Sequence, residues 1–179
     1  TDILDIPPER IKSVNIQHPD GSVVEIENKN TEEYEFMLIS PLQEGRQVSE
    51  SEIYQVANAL SSLQLRDVTP IKDLNKEAIQ PIVTTFTTYD GITVIAKSFT
   101  IKEETYSILG VEFDNNKIDE YVSKKLNKLN PVINFDPKNA KEFSKEITPR
   151  LKGWAFVLPT ITQDALVKKL EDLSLDEAI

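Results

Sequence analysis

The fold class is decided by a stretch that runs into a tight turn and out again: Thr85-Phe86-Thr87-Thr88-Tyr89-Asp90-Gly91-Ile92-Thr93-Val94. Residues 83–89 are all β-branched or aromatic, which is typical of a strand. The Asp-Gly pair that follows supplies the backbone angles of a hairpin turn. We therefore predict a returning strand over residues 92–101 and a further pairing strand over residues 106–113.

The same pattern occurs near the start of the chain. Residues 11–16 alternate apolar and polar with period two, which predicts a half-buried strand. His18-Pro19-Asp20-Gly21 predicts a second hairpin turn, and residues 23–26 return from it. A third strand is predicted over residues 34–39.

A helix is predicted after these strands, because apolar residues recur at helical spacing: Ile53, Val56, Ala57, Leu60 and Leu63. Ser49 and Glu52 have the spacing of a capping box, with Val48 and Ile53 as its hydrophobic staple. Residues 154–158 predict another strand.

The last helix is predicted to begin at a Thr162 cap, and its inner face carries Leu166, Val167, Leu170 and Leu173.

These elements predict an α+β protein of two βββα modules, residues 1–72 and 73–179, each an antiparallel sheet covered by a helix. An internal duplication would explain why turn, Pro-ended strand and helix start agree in both halves. The alternative is chance recurrence of common elements. The second module carries a helical insertion over about residues 114–152.

Within that insertion, one helix face is predicted to hold Ile118, Val122, Leu126 and Leu129. Asp136-Pro137 predicts the start of a second helix, and Pro149 is expected to kink or end it.

Composition excludes several classes of site. The 179 residues include no cysteine, which excludes thiolate metal sites and cysteine nucleophiles. They include one histidine, which excludes a metal site with several histidine ligands. The net charge of −10 disfavours nucleic acid as a partner. We predict no catalytic residue, no cofactor and no bound metal.

Three local patterns contain residue types that could carry chemistry. His18 is expected to be an exposed turn residue, because a hairpin tip lacks the shielded pocket of a catalytic histidine. Residues 114–120 resemble a calcium loop, but Ile118 stands where a ligand is needed, so a helix cap is favoured. Paired carboxylates lie in predicted turns or on polar faces and are expected to be solvated: Glu32-Glu33, Glu103-Glu104, Asp119-Glu120 and Glu171-Asp172.

Two groups are candidates for an interaction surface. Trp154 and Phe156 point to the same side of a strand, which is either core or a binding groove. Lys124, Lys125 and Lys128 form a small basic stripe, joined by Lys138, Lys141 and Lys145 on the next helix. A soluble helix face and a docking face for an acidic partner both fit this stripe.

The order of elements resembles a known family. Two stretches, residues 11–68 and residues 85–94, are similar to the domain-of-unknown-function family 4340. The most similar stretch is Leu151-Lys152-Gly153-Trp154-Ala155-Phe156-Val157-Leu158-Pro159. The resemblance covers nearly the whole chain, and its motifs are structural. It implies no established reaction and no catalytic residues.

The resemblance implies a context. Such proteins have one N-terminal membrane anchor, with the domain outside the cytoplasmic membrane, and are often encoded beside gliding-motility-type ABC transporters. A chain that starts at Thr1 favours removal of a leader or anchor. We therefore expect a membrane-anchored domain at the periplasmic face of the bacterial inner membrane.

The expected function is non-catalytic: an accessory protein of an ABC-type transport system that contacts transporter subunits, other envelope proteins or the substrate. The membrane would be met only through the anchor. Two alternatives stay open. One is a cell-envelope carbohydrate-active enzyme with two carboxylates, and the other is a small-ligand module on the Trp154 face of the sheet.

Overall fold

A computed structural model describes residues 2–30, 35–75, 78–129 and 137–178. The described strands are β1 (Ile11–Gln17), β2 (Val23–Asn30), β3 (Glu35–Leu38), β4 (Arg46–Val48), β5 (Asp67–Pro70), β6 (Ile82–Thr88), β7 (Asp90–Ile101), β8 (Glu104–Ile118), β9 (Trp154–Val157) and β10 (Ser174–Asp176). The α-helices are α1 (Glu50–Ala57), α2 (Glu120–Leu129), α3 (Pro137–Leu151) and α4 (Thr160–Leu166). Short 3-10 helices span Pro8–Arg10, Ile71–Asp73 and Leu170–Leu173.

Eight of these strands form one sheet in the order β3-β2-β1-β6-β7-β8-β9-β5, and β4 pairs with β10. All eight strand pairings among the described residues are antiparallel. The α+β class predicted from the sequence is therefore confirmed.

The predicted modules share that sheet instead of having one each. The β1–β6 pair joins them at its centre, so the expectation of a separate sheet per module is corrected. Strand β5, from the first module, lies at the far edge and pairs with β9 of the second. The internal duplication is not confirmed and stays a prediction.

Buried and more exposed residues alternate along strands such as β1 and β6. The core therefore lies on one face of the sheet. Helices α1, α3 and α4 cover this face, and their apolar residues join a single cluster with the strands. Phe86, on the central strand β6, is fully buried in it. Helix α2 belongs to a smaller cluster formed by Tyr89, Leu126 and Val122.

Both predicted hairpins are present. The first turn closes with the N–H of Gly21 donating to the carbonyl of His18 at 3.0 Å, and Gly21 has φ +88°. The second turn joins β6 to β7 at Gly91, which also has φ +88°. Both glycines supply the left-handed backbone that such turns need.

Several helix ends differ from the predictions. Ser49 is the N-cap of α1, but its side chain makes no cap hydrogen bond. Glu52 instead forms an ion pair with Lys168 at 2.7 Å, so the predicted capping box is wrong. Helix α4 begins after Pro159, and the N–H of Thr162 donates to the Pro159 carbonyl, so Thr162 is inside the helix and is not its cap.

The helix predicted to start near Ile118 starts later. Strand β8 continues to Ile118, and the carboxylate of Asp119 accepts the N–H of Val122 at 3.0 Å as the true cap of α2. Asp114 accepts the N–H of Asn116 in a local turn where the β7–β8 register shifts. Helix α3 continues through Pro149 to Leu151, so this proline sits in the last turn. Glu32-Glu33, Tyr34 and Asp136, which also carry predictions, lie outside the described residues.

The outer edge of β5 has no usable N–H group. Ile71 donates to the carbonyl of Gly153, which fixes the register and turns the backbone groups of Val68 and Pro70 outward. The N–H of Val68 is taken by the carboxylate of Asp67 at 2.8 Å, and proline has none.

Candidate functional site

The outer face of α2 presents an aromatic ring followed by basic side chains. Tyr121 is 76% exposed, and Lys124 and Lys128 follow it at spacings of three and seven, which places all three on one side of the helix. Lys125 flanks them, is half-buried and makes contacts of its own. We call Tyr121, Lys124, Lys125 and Lys128 the basic face of α2.

The opposite side of α2 holds the helix in place. Leu126 is 5% exposed and packs with Val122 against Tyr89, at the end of β6. The hydroxyl of Ser123 and the N–H of Asp119 both donate to the Tyr89 carbonyl, at 3.0 and 2.8 Å. The basic face is therefore carried by a helix that is anchored to the sheet.

The next helix also carries the predicted lysines. Lys141 and Lys145 are exposed on α3, and Lys138 makes contacts of its own. In α2 and α3 together, seven basic residues stand against three acidic ones, in a chain whose net charge is −10. Positive charge is thus concentrated on these two helices.

The other predicted surface pair divides between core and solvent. Phe156 is 5% exposed and belongs to the hydrophobic core, which corrects its assignment to an interaction surface. Trp154 is 40% exposed and lies opposite Pro70, beside Val68, which is 38% exposed. Trp154 lines none of the four surface clefts that are described in the next paragraphs. The small-ligand hypothesis for this face stays a prediction.

His18 does not sit at an exposed tip. Only 4% of it is exposed, and its Nε2–H donates to the carbonyl of Lys168 at 2.9 Å. The expectation of an exposed turn residue was wrong, because the segment after α4 closes over the hairpin. The histidine is one wall of a cleft of about 560 Å³.

Several polar groups around that cleft form hydrogen bonds with neighbouring residues. The amide of Gln163 donates to the Thr105 carbonyl at 3.2 Å, and Thr100 and Thr105 share a hydrogen bond between their hydroxyls. Hydrogen bonds from the hydroxyl and the N–H of Ser22 lower the pKa of the Asp20 carboxyl. Two smaller clefts, of about 310 and 190 Å³, lie next to Arg46 and next to Phe143.

A fourth surface recess runs between α1 and α4. This α1–α4 groove has a volume of about 640 Å³ and is lined by hydroxyl, amide and apolar side chains. Ile161, at its rim, is 65% exposed.

The carboxylate pairs in the described ranges do not gather with further acidic or histidine side chains. Asp119 caps α2, and Asp172 accepts the N–H of Lys169 at 2.9 Å. Among the described ranges, no three histidine, aspartate or glutamate side chains form a group that could hold a metal ion. In the same part of the chain no helix has the length and apolar character needed to cross a bilayer.

No family model matches the chain, and neither a curated protein nor a solved structure is significantly similar to it. The resemblance named from the sequence stays a prediction, as do the compartment and the transport context.

Sequence reasoning found the three lysines of the basic face but missed Tyr121. The signal was present: the helix phase set by Val122 and Leu126 places residue 121 on the outside with residues 124 and 128. The α1–α4 groove was missed because its walls come from segments about 100 positions apart, which no local pattern reports.

Proposed function

We propose that this chain is a non-catalytic binding domain that docks on an acidic protein through the basic face of α2. The observation that carries the proposal is the exposure of Tyr121, at 76%, on the same side of an anchored helix as Lys124 and Lys128. Tyrosine is enriched at the centre of protein interfaces, since it contributes large contact area with few rotatable bonds. A solvated face would not need a large exposed aromatic ring beside its lysines.

Charge supports an acidic partner. The chain outside α2 and α3 has a strongly negative net charge, which repels an acidic surface, whereas the net positive charge of α2 and α3 attracts one. Complementary charge of this kind fixes the orientation of docking and raises the association rate.

An anionic membrane is the weaker candidate for the same face. Each lysine near such a surface contributes about 1 kcal/mol, which is small beside the repulsion of a chain with net charge −10. We therefore assign the face to a protein.

Within this proposal the partner is a subunit of an ABC-type transport system or another envelope protein, and the domain lies at the periplasmic face of the inner membrane. The support for this part is the sequence resemblance.

The test is site-specific photo-cross-linking of the full-length protein in its native cells. Benzoylphenylalanine replaces Tyr121, and the control places it at Leu175, which is 53% exposed on β10. We expect position 121 to capture one acidic protein, identified by mass spectrometry, and position 175 not to capture it. The double substitution Lys124→Glu and Lys128→Glu should abolish the adduct while circular dichroism stays unchanged.

Three results would contradict the proposal. These are no adduct at position 121, the same adduct at both positions, and an adduct that survives charge reversal. Sedimentation with phosphatidylglycerol vesicles provides the membrane arm, and binding there that depends on Lys124 and Lys128 would assign the face to lipid.

A further inference from the structure

The α1–α4 groove carries no charge on its lining. Five hydroxyl side chains, three amides and four apolar residues surround about 640 Å³, and not one of the twelve is acidic or basic. Charged residues make up 28% of this chain and concentrate at surfaces, so about three of twelve would be expected by composition alone. A ligand that fits this lining is uncharged.

The groove is formed before any ligand enters. The amide of Gln55, on α1, donates across to the carbonyl of Ile161 on α4 at 3.4 Å. On the same wall, the amide of Asn58 donates to the carbonyl of Tyr54 at 2.8 Å and ends α1. The Tyr54 ring packs edge-on against Phe36 with centroids 5.9 Å apart, which fixes its orientation.

The remaining hydrogen-bonding capacity has a mixed character. A side-chain amide carries two donor hydrogens and an acceptor oxygen, and a hydroxyl carries one donor and two lone pairs. Gln55 and Asn58 each use one donor in the contacts above, so both keep groups that can donate and accept. Ile161 and Pro159 add apolar surface beside them.

A peptide does not match this surface. Extended peptides bind by adding a strand to a sheet edge, whereas six lining residues here lie in α1 and α4 and the other six in the turn after α1 or at Pro159, so none lies in a strand. Helical peptides bind with an apolar face in an apolar groove, whereas two thirds of this lining is polar.

A sugar chain does match it. Each hydroxyl of a neutral sugar both donates and accepts, as amides and hydroxyls do, while the ring carbons present apolar faces to residues such as Ile161 and Pro159. We infer that the α1–α4 groove binds a neutral oligosaccharide. The inference is independent of the proposed function, because the groove shares no residue with the basic face of α2.

The test is a titration of the whole chain followed by two-dimensional amide NMR. The probes are the neutral cellotetraose, maltotetraose and tetra-N-acetylchitotetraose, with tetragalacturonate as the anionic probe and tetra-alanine as the peptide. Concentrations on the order of 10 mM detect millimolar affinity. We expect a neutral sugar to shift the amides of residues 51–64 and 159–165, and the other two probes to leave them in place.

Matched variants tie the shifts to the groove. Gln55→Ala removes an amide inside it, and Gln47→Ala removes an amide on β4 that makes a similarly long contact outside it, at 3.5 Å to the carbonyl of Asp176. Loss of one hydrogen bond should weaken binding by about 3- to 10-fold for Gln55→Ala and leave Gln47→Ala unchanged. Ser61→Trp, at an exposed position, should fill the groove and abolish binding.

The inference is overturned if no neutral probe shifts the groove amides, or if tetragalacturonate or tetra-alanine shifts them more strongly. Equal weakening by Gln55→Ala and Gln47→Ala would also overturn it. Each of these outcomes leaves the cross-linking result at Tyr121 unaffected, so the two proposals fail separately.

Discussion

Arg10 and Asp90 lie eighty positions apart in the chain and form a buried ion pair where β1 begins and β7 leaves its turn. Asp90 is fully buried and also accepts a hydrogen bond of 2.5 Å from the hydroxyl of Thr88. The pair therefore joins the two predicted modules at the seam between them.

Asp90→Ala should destabilise the fold strongly, because it leaves the Arg10 guanidinium, 14% exposed, without its counter-charge. Removing one partner of a buried pair costs about 3–5 kcal/mol. Urea denaturation gives the free energy of unfolding. Lys29→Ala, in an ion pair with Glu27 that is about half exposed, is the control and should change stability by about 0–1 kcal/mol. Equal effects of the two substitutions would contradict a structural role for the buried pair.

Gly91→Ala should destabilise the fold more than Gly45→Ala. Both glycines have left-handed backbones, with φ of +88° and +81°, so both substitutions carry a conformational penalty of about 1–2 kcal/mol. At Gly91 the added Cβ would also lie 2.7 Å from the carbonyl oxygen of Asp114, whereas nothing lies within 4 Å at Gly45. Thermal unfolding of both variants measures the difference, and a smaller effect at Gly91 would refute the close approach of β8.

Tyr89 should make the protein lose stability at high pH. Burial, followed by the charges of Asp119 and Glu27, raises the pKa of its hydroxyl to about 12. In the unfolded chain this hydroxyl ionises near pH 10, so between pH 10 and 12 the unfolded state releases a proton that the folded state keeps. Stability is complete below pH 10 and falls by about 2–3 kcal/mol through that window.

The check is the free energy of unfolding of the wild type and of Tyr89→Phe from pH 9 to 12. Other groups titrate in both proteins, so the difference between them isolates Tyr89. A difference that stays constant over this range would show that the hydroxyl is not buried in solution.

His18→Ala should loosen the segment after α4. The substitution removes the donor to the Lys168 carbonyl from a buried position, which costs about 1–3 kcal/mol. Amide hydrogen exchange should accelerate in residues 167–173. Gln17→Ala, the exposed neighbour on β1, is the control and should stay within about 0.5 kcal/mol of the wild type. Unchanged exchange in His18→Ala would mean that the contact does not hold the segment.

Local sequence patterns predicted the features that depend on residues close together in the chain. The alternation over residues 11–16, the β-branched and aromatic residues around Phe86 and the turn glycines Gly21 and Gly91 predicted both hairpins, because strand preference and positive φ depend on near neighbours. The phase of Val122 and Leu126 predicted the inner side of α2 for the same reason.

Distant contacts account for what the sequence missed. His18 is buried by a carbonyl 150 positions away, and Glu52 left its predicted cap for Lys168, more than a hundred positions on. The pairing of β1 with β6, and of β5 with β9, likewise depends on a choice of partners that no single segment encodes. The α1–α4 groove likewise forms only when residues 51–64 and 159–165 come together in the folded protein.

The donor-poor border of β5 has a consequence for how these molecules meet at high concentration. A strand from a second copy needs alternating donors and acceptors to extend a sheet, and here it would find carbonyl oxygens facing its own carbonyls. Growth of the sheet into fibrils is therefore blocked on that side, because the Asp67 carboxylate occupies one outward N–H group and Pro70 lacks the other.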